Sequence, residues 1–509
     1  MTNSLRRSFL RTSASLAAAP SLAGAISILY SQQARAVTNS QSDLVASPYG
    51  PVSPKRDLTT GLPILALPDG FEYKSFGWLG DPMTNGQLCR GAVDGMAVVR
   101  SRRVGRSTEL TLVRNHESST SSTQANQIAP IGGGVYDTGL GGTGTPSFST
   151  GGTSTLVFRD GNWIEVRASL GGTRTNCAGG VTPWGTWLSC EEVGSDTISN
   201  GLKRHGYVFE VPADGVSDAV PIIGMGRFRH EAVAIDPTNG VVYQTDDDSG
   251  KSGFYRYIPT DTAGASGVKG RLGSLANGGT LQMAKVKGRN NVVLVNAPNA
   301  RIGQVFELEW IDIANPDANR GTATPLDPAA ATISNACGPF IQGWAQGGLR
   351  MNRGEGIWYH DGAMYIIDTS GNNGTGVLWE LDLEAQTLEC LYAAPTDSVG
   401  HMVDNVTVSP RGGVLMCEDG SRALPANTTG QRIMGLTPAG DTYEFCRNNC
   451  NLDSVQVAGA GKDPRNAGDR RSAETAGVCF DPTGRFMFLN IYSPGITVAI
   501  TGPWAKGNL

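Results

Sequence analysis

Cys177 and the paired carboxylates Glu191 and Glu192 stand at the two ends of one short segment, NCAGGVTPWGTWLSCEE (176–192). A thiolate suits a soft transition ion such as iron, whereas carboxylates suit calcium. Between the ends lie a Pro-Trp-Gly turn and a short Trp/Leu strand, so the segment predicts a hairpin that returns both ends to one sheet edge. The pattern recurs. EAVAIDPTNGVVYQTDDD runs from Glu231 to Asp246, Asp247 and Asp248, and EGIWYHDGAMYIIDT from Glu355 to Asp368. DNVTVSPRGGVLMCED runs from Asp404 to Glu418 and Asp419, and ETAGVCFDPTGRFMFLN from Glu474 to Asn490. A looser copy with a longer turn links Asp94 to Asn115, His116 and Glu117.

Cys177 to Glu191 and Asp404 to Glu418 are fourteen residues apart, Glu231 to Asp246 fifteen and Glu355 to Asp368 thirteen. Two strands of about five or six residues and a tight turn account for that spacing. Further strands follow several copies, such as GYVFEVP (206–212), SGFYRYIP (252–259) and GVLWELDL (376–383). Four-stranded units repeated six times predict an all-β, six-bladed β-propeller, with a few helical insertions at the rim. The stretches FELEWIDIANPDAN (306–319) and ACGPFIQGWAQGG (336–348) read as those insertions. In a propeller the first strand of each blade lines the channel, so Asp94, Cys177, Glu231, Glu355, Asp404 and Glu474 are expected around one mouth. Asn115, His116, Glu117, Glu191, Glu192, Asp246, Asp368, Glu418, Asp419 and Asn490 are expected in a second tier beside them. Like charges so close repel, and desolvation adds to the cost, so cations are the expected remedy. Cys190 and Cys417, one residue before their acids, alternate to the opposite face and read as core.

Arg353 lies two residues before Glu355, and strand alternation aims both to the same side. Its guanidinium reads either as a clamp for a phosphoryl group or as a partner for excess carboxylate. Asn115 offers an amide donor, and His116 and His230 read as structural. The GLGGTG run (139–144) matches a dinucleotide fingerprint by letter, but no helix pattern follows it. No P-loop, G-x-S-x-G elbow or H-E-x-x-H is present.

Residues 1–36 read as a twin-arginine export signal: Arg6 and Arg7 precede an Ala/Ser/Leu-rich run that ends in an A-x-A cleavage site at Ala34 to Ala36. The mature protein is then periplasmic or extracellular, with an extension or linker over 37–60 and one propeller domain over 61–509. The 68 glycines in 509 residues fit a turn-rich β protein, and the net charge of −5 favours neither nucleic acid nor an anionic membrane as partner. Of nine cysteines, Cys446 and Cys450 could form a disulfide or remain thiols. No C-x-x-C pair supports a zinc ribbon or iron–sulfur cluster.

DGM (94–96), NHE (115–117), NCAGGVTPWGTWLSCEE, RHEAVAIDP (229–237), RGEGIWY (353–359) and the ending NIYSPGITVAITGPW (490–504) together resemble the PhoX-type alkaline phosphatases. The resemblance runs from Leu62 to Trp504. It implies a twin-arginine-exported six-bladed propeller that hydrolyses small phosphate monoesters, with diesters a further option; a monomer is expected. A cluster of ferric iron and calcium at one channel mouth is implied, with Arg353 and Asn115 on the phosphate. Cys177, Glu192, Glu231, Glu355, Glu418 and Glu474 are the implied metal ligands, with Asp94, Glu117 and Asp404 beside them. Glu191 remains an alternative to Glu192. The Ser-rich SSTSSTQ run after NHE departs from the family pattern and bears on substrate range. Two rival readings are a calcium-dependent lactonase or esterase propeller and a non-catalytic binding propeller.

Overall fold

The computed structural model describes residues 41–139, 146–196, 203–262, 270–294, 301–419 and 428–509. The export signal and most of the GLGGTG run lie outside them. The protein is all-β, with antiparallel sheets arranged as in a propeller. Six strands open the repeats: β1 (Val93–Val104), β2 (Asn176–Val181), β3 (His230–Ile235), β4 (Gly354–His360), β5 (Val403–Val408) and β6 (Thr475–Phe480). Each pairs antiparallel with its return strand across the turn that the sequence marks with Pro, Gly or Asp. The opening strands pack side by side in the order β1 to β6, and β6 returns to β1.

The chain's two ends close this ring. Glu72–Phe76 pairs antiparallel with Ile496–Thr501, placing an N-terminal strand at the outer edge of the last sheet. Such pairing covers the edge of the C-terminal strand and ties an N-terminal strand to it. The stretch before it is also docked: Ser53–Lys55 pairs with Leu65–Leu67, and Leu65 with Asn448. The described part of the expected linker therefore lies against a sheet.

The expected insertions resolve differently from each other. Val305–Asp312, where helical turns were expected, is a strand that pairs with Gly279–Val286 on one side and Thr387–Ala393 on the other. It joins the sheets of β3 and β4 at their outer edges. Gly338–Trp344 is a helix, started by Pro339 and stacked through Phe340 and Trp344.

Apolar side chains fill the spaces between sheets, with Trp78, Trp344 and Trp379 fully buried. Cys190 and Cys417 lie in this core, as alternation predicts. All nine cysteines are free, so Cys446 and Cys450 are buried thiols and not a disulfide. Among the described residues no helix is long and apolar enough to cross a membrane.

Candidate metal centre

Each opening strand carries one extra residue at the same place. Val93 faces His116 but Met96 faces Arg114, so three steps on β1 match two on its partner. The same slip follows Asn176 in β2, His230 in β3, Gly354 in β4, Val403 in β5 and Ala476 in β6. A β-bulge of this kind re-aims the side chain it releases. In the first five strands the released residue is Asp94, Cys177, Glu231, Glu355 or Asp404. In β6 it is Gly477, held at φ 61° where an added Cβ would lie 2.6 Å from the Asp94 carbonyl oxygen.

Three overlapping triads result. Ligand atoms of Asp94, Glu117 and Cys177 lie within 4.8 Å of one another, as do those of Cys177, Glu192 and Glu231, and those of Glu231, Glu355 and Asp404. Shared Cys177 and Glu231 link the three. Cys177 Sγ donates to Asp94 Oδ2 at 3.4 Å. Glu231 is fully buried with both carboxylate oxygens lacking a hydrogen-bond partner, and Asp94 Oδ1 is equally unpartnered. A buried anion left so costs several kcal/mol, on the order of the penalty that pairing must offset. Cations bound among these atoms would offset it, and the donor set of one thiol and six carboxylates fits them.

The titration behaviour has the same origin. Burial raises Glu231 well above the ordinary carboxylate range, and Asp404 and Asp94 raise it further. Burial and Asp247 push Glu192 up to about 8, and burial and Asp419 push Asp404 up to about 7. Burial and Asp94 hold the Cys177 thiol protonated in the metal-free protein.

Arg353 is anchored at the centre. Its Nε and Nη2 donate to Asp247 at 2.6 and 2.7 Å, and Nη2 lies 2.7 Å from Glu355 Oε1. The partner-for-carboxylate reading describes this arrangement. Nη1 makes no hydrogen bond among the described residues, which leaves a donor for an anion.

Three expected site residues sit differently. Asn115 is fully buried and spent: Nδ2 donates to the carbonyls of Cys177 and Ala178 at 3.2 and 2.6 Å, and Oδ1 accepts from Trp187 and Ser189. It fixes the backbone under Cys177 and has no atom left for substrate. Glu418 faces away from the triads and is taken by Arg432 and by the amide of His401 at 2.9 Å. Glu474 precedes β6, ahead of the bulge, and belongs to none of the triads; burial and then Asp94 raise its carboxyl.

The second tier explains the Glu418 result. Three return-strand acids opposite the bulges, Glu191, Asp368 and Glu418, bind backbone amides that precede the site residues, whereas Asp246 accepts from the Gly253 amide. Glu191 accepts from Arg174 at 2.9 Å, and Asp368 from Asn352 and Arg353 at 3.0 and 3.1 Å. Acids one step further along, Glu117, Glu192, Asp247 and Asp419, face the cluster instead, each acting on the carboxyls there. Sequence reasoning missed Asp247 as a site residue, although it is adjacent to Asp246; Asp419 was expected in the second tier beside Glu418, though not among the ligands. His116 and His230 are structural, as expected: burial drives both down to about 3, and they contact the Gly91 and Gly226 carbonyls.

The fold and site define a propeller with a carboxylate- and thiol-lined centre at one end of its ring of opening strands. The sequence matches the profile of the alkaline phosphatase PhoX family over residues 47–169 and 151–495, and the chain belongs to that family of phosphatases. Among solved structures it is similar to Pseudomonas fluorescens PhoX in complex with vanadate, a transition state analogue. That likeness has 17% identity and a TM-score of 0.59, covering 92% of this chain and 99% of the other. A family 117 glycoside hydrolase, Zg3597 from the marine bacterium Zobellia galactanivorans, is far more distant at 9% identity and TM-score 0.26, covering 85% of this chain and 90% of the other. No curated protein matches the sequence.

Proposed function

We propose that the protein is an exported phosphatase that hydrolyses small phosphate monoesters at a mixed iron and calcium centre on a six-bladed propeller. The observation that carries it is the set of three overlapping triads with a fully buried, unpartnered Glu231 at their junction. Cys177, Asp94, Glu117, Glu192, Glu231, Glu355 and Asp404 would hold the metals, Cys177 favouring iron and the carboxylates calcium. Bound there, such ions would supply Lewis-acid chemistry for phosphoryl transfer. Arg353 binds and orients the phosphoryl group through its free Nη1, in a position fixed by Asp247. Asn115 supports the site by holding the Cys177 carbonyl.

Six opening strands packed in a cycle support the blade number. Arg6 and Arg7 support twin-arginine export in a folded state and release to the periplasm or beyond. Membership of the phosphatase family stands against the lactonase and non-catalytic readings. The test combines elemental analysis of purified protein with hydrolysis of p-nitrophenyl phosphate, with and without chelator. Iron, calcium and chelator-sensitive hydrolysis are expected. Protein that holds both metals and cleaves no ester across a broad phosphate panel would end the proposal.

A further inference from the structure

Arg229 stands to Glu231 as Arg353 stands to Glu355. Each lies two residues ahead of the released glutamate, directly before the neighbouring strands β3 and β4. Each reaches a carboxylate from the return strand of the preceding repeat: Arg353 binds Asp247, and Arg229 Nη2 contacts Glu192 Oε1. Asp247 feels both guanidinium groups, and its amide donates to the Arg229 carbonyl at 3.0 Å. Arg353 thus belongs to the Glu231–Glu355–Asp404 triad and Arg229 to the Cys177–Glu192–Glu231 triad, with Glu231 common to both.

Arg229 is the more open of the two, with 39% of its side chain exposed against 23% for Arg353. Its Nε is buried with no acceptor, and Nη1 makes no hydrogen bond among the described residues. A cation on Glu192 would compete with Nη2 for the same carboxylate. A planar fork with unspent donors at the edge of such a centre matches a phosphoryl group, which accepts two parallel hydrogen bonds from arginine.

We propose that Arg229 is a second anion-binding residue, which holds a phosphoryl group next to the one bound at Arg353. The enzyme then favours substrates with two adjacent phosphoryl groups, such as pyrophosphate or nucleoside di- and triphosphates, over monoesters of neutral alcohols. The inference rests on the metal-dependent phosphatase reading of the same centre.

Calorimetric titration of the metal-loaded protein with inorganic phosphate and with methylenediphosphonate, which cannot be hydrolysed, tests it. The wild-type protein should bind the diphosphonate about tenfold or more tightly than phosphate, the scale of one charge-assisted contact. Arg229→Met should erase that difference, and Arg229→Lys should restore part of it, with melting curves and metal content confirming that both variants fold. Equal binding of the two ligands by the wild type would overturn the assignment. So would an Arg229→Met protein that weakens both ligands alike, because Arg229 would then serve only to hold Glu192. Failure of phosphate itself to bind would strike the underlying phosphatase centre, and the second subsite with it.

Discussion

Glu418 and Arg432 form a closed, buried ion pair: Nε lies 3.1 and 3.0 Å from the two carboxylate oxygens, and the Arg432 amide adds a bond at 3.0 Å. Glu418 also accepts the amide of His401, three residues ahead of Asp404. A carboxylate so fully satisfied has no need of a cation.

Glu418→Ala should therefore act on folding and not on metal content. It leaves Arg432 charged and buried without its partner, a change that costs about 3–5 kcal/mol. Denaturant unfolding and elemental analysis of the folded fraction check this. Loss of metal from a variant of undiminished stability would return Glu418 to the ligand set.

Glu231→Gln should do the reverse. Glu231 joins two triads and its oxygens have no other partner, so metal occupancy and phosphatase activity should fall by at least about 100-fold. In chelated protein the same change removes a buried, unpaired acid and should raise the melting temperature.

This contrast shows what was legible in the sequence. The strand–turn–strand repeat, its propeller arrangement and the meeting of Cys177, Glu231, Glu355, Asp94 and Asp404 follow from hydrophobic alternation and spacing. The bulges do not, because one extra residue leaves no signature in the residue types around it. That residue releases Asp94, Cys177, Glu231, Glu355 and Asp404. At the ends of the return strands adjacent acids simply take different roles: Glu192 and Asp419 act on the cluster, Glu191 and Glu418 bind backbone. In β6 the bulge selects Gly477, which leaves Glu474 outside the triads. Asn115 misled for another reason. Its letter pattern fits a substrate amide, but its partners Trp187 and Ser189 come from the next sheet and are invisible to local reading.

Cys177→Ser should lower iron more than calcium. Oxygen replaces the only thiol in the three triads, and softer ions lose most from that exchange. Elemental analysis of protein purified without added metal measures the ratio; full iron content in the variant would remove Cys177 from the iron site.

Arg353→Lys should cut kcat/KM by about 100-fold or more, since an ammonium cannot reproduce the two-point bond to Asp247 while donating to an anion. Metal content should stay near the wild-type level. Steady-state kinetics paired with elemental analysis separates this from a loss of ligand geometry.

The metal-free protein should lose stability as pH rises. Asp404 is raised to about 7 by burial and Asp419, and Glu192 to about 8 by burial and Asp247, against unfolded values of about 4. The folded state therefore holds protons that the unfolded state has released, so raising the pH from about 4 favours unfolding until the folded groups have also titrated, near pH 8. Bound metal reverses the slope, because cations compete with those same protons and bind more tightly as the carboxyls ionise. Melting temperatures measured from pH 5 to 9 should fall with pH in chelator and hold or rise with iron and calcium present. Parallel curves under the two conditions would show that these carboxyls are not where the metals bind.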